Sequence, residues 1–123
     1  MKKLFSILLI FIVILSFPAC RPKGMKKDVY DLAKQALRLM DDYHSGKIAS
    51  EDVDAPLNSI ISRLESIEKR DEGKRTGSEY GMNNSQYASC IKIHISSFLF
   101  NKNFQYANGD TYDAVENIKN LLK

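Results

Sequence analysis

The chain has 123 residues, 44% of them hydrophobic and 27% charged, which suits one domain and not two. Its 18 basic residues nearly balance 15 acidic ones. That argues against a nucleic-acid partner, which needs a strongly basic face.

Lys2 and Lys3 open the chain with no acid beside them. An uncharged, largely apolar block runs from Leu4 to Phe17 and fits the short h-region of a secretory signal. A helix crossing a full bilayer needs about 20 apolar residues, and this block is shorter. The two lysines hold the start of the chain on the cytoplasmic side. The block ends at Phe17-Pro18-Ala19-Cys20.

That ending resembles the lipobox of bacterial lipoproteins. The resemblance covers residues 1–20 only. It implies that the Cys20 thiol receives a diacylglycerol and that a signal peptidase cuts between Ala19 and Cys20. Phe17 stands where the family carries a leucine-like residue. An aspartate after the cysteine is associated, in the family, with inner-membrane retention in cells that have two membranes. Arg21 stands there instead, which favours an outer layer. Two other readings stay open. The segment can be a retained anchor, or the signal of a freely secreted protein; the latter wants a small residue at the position of Phe17.

Removing residues 1–19 takes 123 residues to 104 and 18 basic residues to 16, against 15 acidic ones. Four of the 16, Arg21, Lys23, Lys26 and Lys27, follow Cys20 directly, so 12 remain from Asp28 onward and the body is slightly acidic. Residues 20–27 read as a tether broken by Pro22 and Gly24. Its charges suit either a second, electrostatic contact with anionic lipid or a solvated linker. With Cys20 acylated, Cys90 has no partner for an internal disulfide and reads as a small, buried apolar residue.

Four helices are expected in residues 28–123. From Asp28 to about His44, Val29, Leu32, Ala33, Ala36, Leu37, Met40 and Tyr43 recur at steps of three and four, and Gly46 supplies a left-handed cap. A second helix is expected from Ala55 to Asp71, with Asp54 as N-cap so that Pro56 falls in the first turn. Its stripe is Leu57, Ile60, Ile61, Leu64 and Ile67, with Arg63, Glu65, Glu68 and Lys69 facing water. Residues 70–86 lack apolar periodicity and read as a loop.

Tyr87 to about Tyr106 admits two readings. Tyr87, Ala88, Ile91, Ile95, Phe98 and Leu99 fit a helix, while Ile91-Lys92-Ile93-His94-Ile95 alternates as a strand does. The length of the pattern favours the helix. Asp110 is expected to cap a fourth helix carrying Tyr112, Val115, Ile118, Leu121 and Leu122. Short amphipathic helices are marginal alone, so the expected fold is all-α, a small antiparallel bundle behind a signal peptide.

Chemistry is sparse. Cys90 and His94 are four apart, as in half of a metal site, but zinc needs three or four ligands and His44 is the only other histidine. A nucleophile pair on one helix at that spacing is poorly aimed. The acids Asp41, Asp42, Glu51, Asp52 and Asp54 lack the ligand order of a calcium loop. Gly73, Gly77 and Gly81 lack the lysine-serine ending of a phosphate loop. Lys69, Arg70, Lys74 and Arg75 suit an anionic partner, but Asp71 and Glu72 among them favour a solvated loop.

Aromatic residues exceed what one helical face hides. Ile93, Phe100, Phe104 and Tyr106 either pack under the last helix or form an exposed surface for a partner. The sequence thus points to a non-catalytic binding or structural lipoprotein of the cell envelope. It would need no cofactor, contact membrane lipid through Cys20 and engage an unidentified envelope protein. The alternatives are a surface hydrolase or metal-dependent enzyme using Cys90 and His94, and a carrier of a small apolar ligand.

Overall fold

Apolar residues spaced three and four apart give this chain its helices, and burying those stripes against one another gives it its shape. The computed structural model describes residues 21–75, 81–104 and 111–123. Ala19, Cys20, Tyr106 and Asp110 lie outside the described residues. Within them are four helices and no strand: α1 (Lys27–His44), α2 (Ser50–Arg70), α3 (Asn84–Asn103) and α4 (Thr111–Leu121). They run up and down, each antiparallel to the one before. The strand reading of residues 91–95 gives way to helix. Ile91 and Ile95 are buried one turn apart while Ile93 between them is exposed.

α1 and α3 form the central pair, each touching every other helix. α2 and α4 flank them on opposite sides, and each touches both. The core draws on every helix: Val29, Ala33, Ala36 and Met40 from α1, Val53, Leu57 and Leu64 from α2, Ala88, Ile91, Ile95 and Phe98 from α3, and Ile118 from α4. Phe98 is the largest side chain fully enclosed.

Two helix starts differ from expectation. α2 begins at Ser50, five residues ahead of Ala55, and encloses Pro56 instead of carrying it in the first turn. The reason is Val53, which is fully buried and extends the Leu57–Ile60–Leu64–Ile67 stripe by one turn. That burial, with the bonds at Ser50 described below, outweighs the hydrogen bond that the proline nitrogen cannot make. α3 begins at Asn84, three residues ahead of Tyr87. Asn83 and Gln86 form a capping box there, in which the Asn83 side chain accepts from the Gln86 amide and the Gln86 side chain accepts from the Asn83 amide, each at 2.9 Å. At the end of α1, Gly46 takes φ +78° and its N–H donates to Tyr43, as a left-handed cap should.

The tether is shorter than expected. From Pro22 onward the chain is folded onto the bundle. The Met25 N–H donates to the Pro22 carbonyl at 3.1 Å, and the Met25 side chain is buried in the core. Gly24, at φ +90°, lies so close to the chain before α3 that a Cβ there would sit 2.0 Å from the Met82 carbonyl oxygen. Only glycine fits that approach.

Candidate functional site

Each end of the bundle is fastened by polar groups. At the end where the chain enters, Asp71 follows the last residue of α2 and is 1% exposed. Its two oxygens accept from Arg70 Nε at 3.0 Å and Nη2 at 2.7 Å, and Asn84 Nδ2 donates to it at 2.8 Å. Arg70 Nη2 also reaches Asp28 in the first turn of α1 at 2.6 Å. The Asn84 side-chain oxygen accepts from the Lys26 amide at 2.8 Å, and Lys26 Nζ stands 3.7 Å from Asp71. Three helix ends are thereby held at one point, and the fully buried Asn84 carboxamide has partners on both sides.

Hydrogen bonds from Arg70 hold the Asp71 carboxyl far below the usual carboxylate range, against the opposing effect of burial and with help from Asn84. Burial pushes Asp28 upward, but the bonds from Arg70, Asn84 and the Val29 amide outweigh it, and its pKa is lowered. Arg70 is correspondingly stabilised as the cation, chiefly by Asp71.

At the opposite end the Lys102 side chain is wholly buried. Its ammonium donates to the Ser50 carbonyl at 2.9 Å, the Ser50 hydroxyl at 3.0 Å and Asn103 Oδ1 at 2.7 Å. Asp54 Oδ1 lies 2.8 Å away as an ion pair outside hydrogen-bond alignment, and the Tyr43 ring sits beneath at 5.8 Å. Next to it, His44 Nε2 meets the Thr111 hydroxyl at 2.9 Å, and the imidazole stacks on Tyr112 at 3.8 Å and 10°. These contacts tie the start of α4 to the end of α1.

The surface that could meet a partner is the outer face of α3. Ile93, Phe100 and Phe104 are 58%, 55% and 58% exposed. Ile93 and Phe100 are seven apart on one line of the helix, and Phe104, the residue that caps it, follows four further on. Phe100 and Phe104 stack at 4.6 Å, one turn apart. The expectation that they pack under the last helix is not met, because α4 covers the other side of α3 with Ala114, Val115 and Ile118. Helix α3 is therefore apolar on two faces: Ala88, Ile91, Ile95, Phe98 and Leu99 face inward and this line faces out. The described part of the line has no charged residue on it, with Ser96 and Ser97 between Ile93 and Phe100.

Cys90 is a half-buried free thiol, and His94 is half-buried, with burial lowering its pKa. No group of three or more His, Cys, Asp or Glu is placed to hold a metal among the described residues. Surface grooves run between the described helices. One of about 530 Å³ between α1 and α4 is lined by Tyr30, Lys34, Arg38, Asp41 and Lys119 among others. One of about 430 Å³ between α1 and α2 is lined by Asp31, Gln35, Arg63 and Arg70 among others. Charged side chains mark both as solvated surface. No described helix is long and apolar enough to cross a membrane.

Sequence reasoning placed Asp71 at the end of the second helix and Asn84 in the loop after it, and missed the polar fastening between them. The signal available was Asn83-x-x-Gln86, which marks a helix start and so puts Asn84 in a first turn. Compared with known proteins, the chain matches no family model, no curated protein and no solved structure.

Proposed function

We propose that this protein is a bacterial lipoprotein, held by Cys20 on the outward face of an envelope membrane, where its helical bundle acts as a non-catalytic binding or structural module. The observation that carries the reading is the order of Lys2-Lys3, an apolar block and Ala19-Cys20 at the start of the chain. Diacylation supplies two acyl chains, enough for stable attachment. The folded body begins directly behind, at Pro22, so nothing long separates anchor from bundle. The exposed line of Ile93, Phe100 and Phe104, with Tyr106 beyond it in sequence, supplies the partner surface.

Growth with labelled palmitate, followed by mass spectrometry of the mature N-terminus, tests the anchor. The expected result is label in the wild type, none in Cys20→Ser, and a chain that starts at an acylated Cys20. An unmodified Cys20 thiol would overturn the reading. A photoreactive residue at position 100, crosslinked in intact cells, would then identify the envelope protein that the bundle holds.

A further inference from the structure

The two ends of the bundle carry opposite charge. The entry end comprises residues 21–28 and the last turn of α2 with the turn after it, residues 67–75. Eight basic residues stand there against four acidic ones: Arg21, Lys23, Lys26, Lys27, Lys69, Arg70, Lys74 and Arg75 against Asp28, Glu68, Asp71 and Glu72. The far end, residues 41–54, 101–104 and 111–114, has the reverse balance. Lys47 and Lys102 face Asp41, Asp42, Glu51, Asp52, Asp54 and Asp113, two against six. The 21 residues of α2 separate the ends by about 30 Å at 1.5 Å per residue.

The acids of the entry end are also largely engaged. Asp28 and Asp71 are held by Arg70, and Glu68 pairs with Lys92 at 2.8 Å. Arg21, Lys23, Lys69, Lys74 and Arg75 are exposed and have no ion pair among the described residues. These cations come from two stretches some fifty residues apart in sequence, brought to one surface by the Asp71 fastening.

We propose that this basic end is a second membrane contact that seats directly on anionic phospholipid. It rests on the anchored reading above and adds an orientation to it. The bundle stands upright, its acidic end and the Phe100–Phe104 pair held away from the bilayer. The occupant follows from two observations. The apolar segment, residues 1–20, joins the described structure at Arg21, on this surface. The surface is also complementary in charge to acidic headgroups, which attract lysine and arginine within a Debye length.

The test is an amine-labelling footprint of the full-length protein in vesicles, read residue by residue by mass spectrometry. Vesicles of phosphatidylglycerol with phosphatidylcholine are compared with phosphatidylcholine alone, at low and high salt. Lys23, Lys69 and Lys74 are expected to label several-fold more slowly in the anionic vesicles only, and to recover in high salt, while Lys47 stays constant. A combined Lys69→Gln, Lys74→Gln, Arg75→Gln variant, altered only at exposed positions, should lose the protection of Lys23. Equal labelling of Lys69 and Lys47 on anionic vesicles overturns the proposal. So does protection that is the same on neutral lipid, or protection in detergent that grows with protein concentration, which would mean that the acidic end of a second copy docks there. An unmodified Cys20 overturns the lipidation alone, because the footprint still decides whether this end meets the lipid.

Discussion

Asp71 joins three helix ends through one carboxylate. Arg70 and Asn84 donate to it, and Arg70 carries the connection on to Asp28. Replacing it by asparagine keeps the shape and removes the charge, leaving Arg70 with Asp28 alone. Breaking a buried pair costs about 3–5 kcal/mol. Here Arg70 is half exposed and keeps the Asp28 carboxylate, so Asp71→Asn is expected to cost less, about 1–2 kcal/mol, read as a lower urea midpoint. The pH dependence has a definite sign. Unfolded, Asp71 titrates near 4, and folded its pKa is lower. Between those values the unfolded chain holds the proton, so stability rises with pH. The contribution is complete above the unfolded pKa and drains away as pH falls below about 4. Asp28 acts in the same direction. Urea titrations between pH 6 and pH 2 (roughly spanning that range) should show a shallower loss in Asp71→Asn than in the wild type.

At the scale of the element, α2 and α3 each break a rule, and each breakage has a local cause. Pro56 is the seventh residue of α2, and the carbonyl of Asp52 has no amide to accept from there. Pro56→Ala should raise stability by up to about 3 kcal/mol, the difference between these residues in a helix interior, seen as a higher thermal midpoint. The second face of α3 makes a contrasting prediction. Phe100 and Phe104 are more than half exposed and stack on each other, so Phe100→Ser with Phe104→Ser should change stability by about 1 kcal/mol, the worth of one aromatic pair. Crosslinking to a partner from the neighbouring position 97 should nevertheless be lost. The helices themselves were legible in the sequence because Val29 to Met40 and Leu57 to Ile67 keep one period. The starts were not. Pro56 argued for a late beginning to α2, and only the burial of Val53, a tertiary fact, reverses it. The outward line on α3 could be suspected from an excess of apolar residues, but whether Phe100 is covered depends on where α4 lies, and periodicity within one helix does not contain that.

On the scale of the whole molecule, the antiparallel order does more than bury a core. It gathers Lys23 and Lys74 at one end and Asp42, Asp52 and Asp113 at the other, although the chain alternates between ends three times. A residue-by-residue reading of charge averages this separation away, since the total is nearly balanced. The end-to-end fastenings were equally hidden, because Asp28 and Arg70 are 42 positions apart. One consequence concerns the order of events during biogenesis. Gly24 is wedged against Met82, and Met25 is inside the core, so once folding is complete only Arg21, Pro22 and Lys23 lie between residue 20 and the packed chain. Peptidases grip unstructured segments. If the leader is removed beside Cys20, closure of the chain around Met82 over Gly24 leaves the peptidase only those three residues to grip, so a variant that hastens that closure should be cut more slowly and accumulate as the precursor.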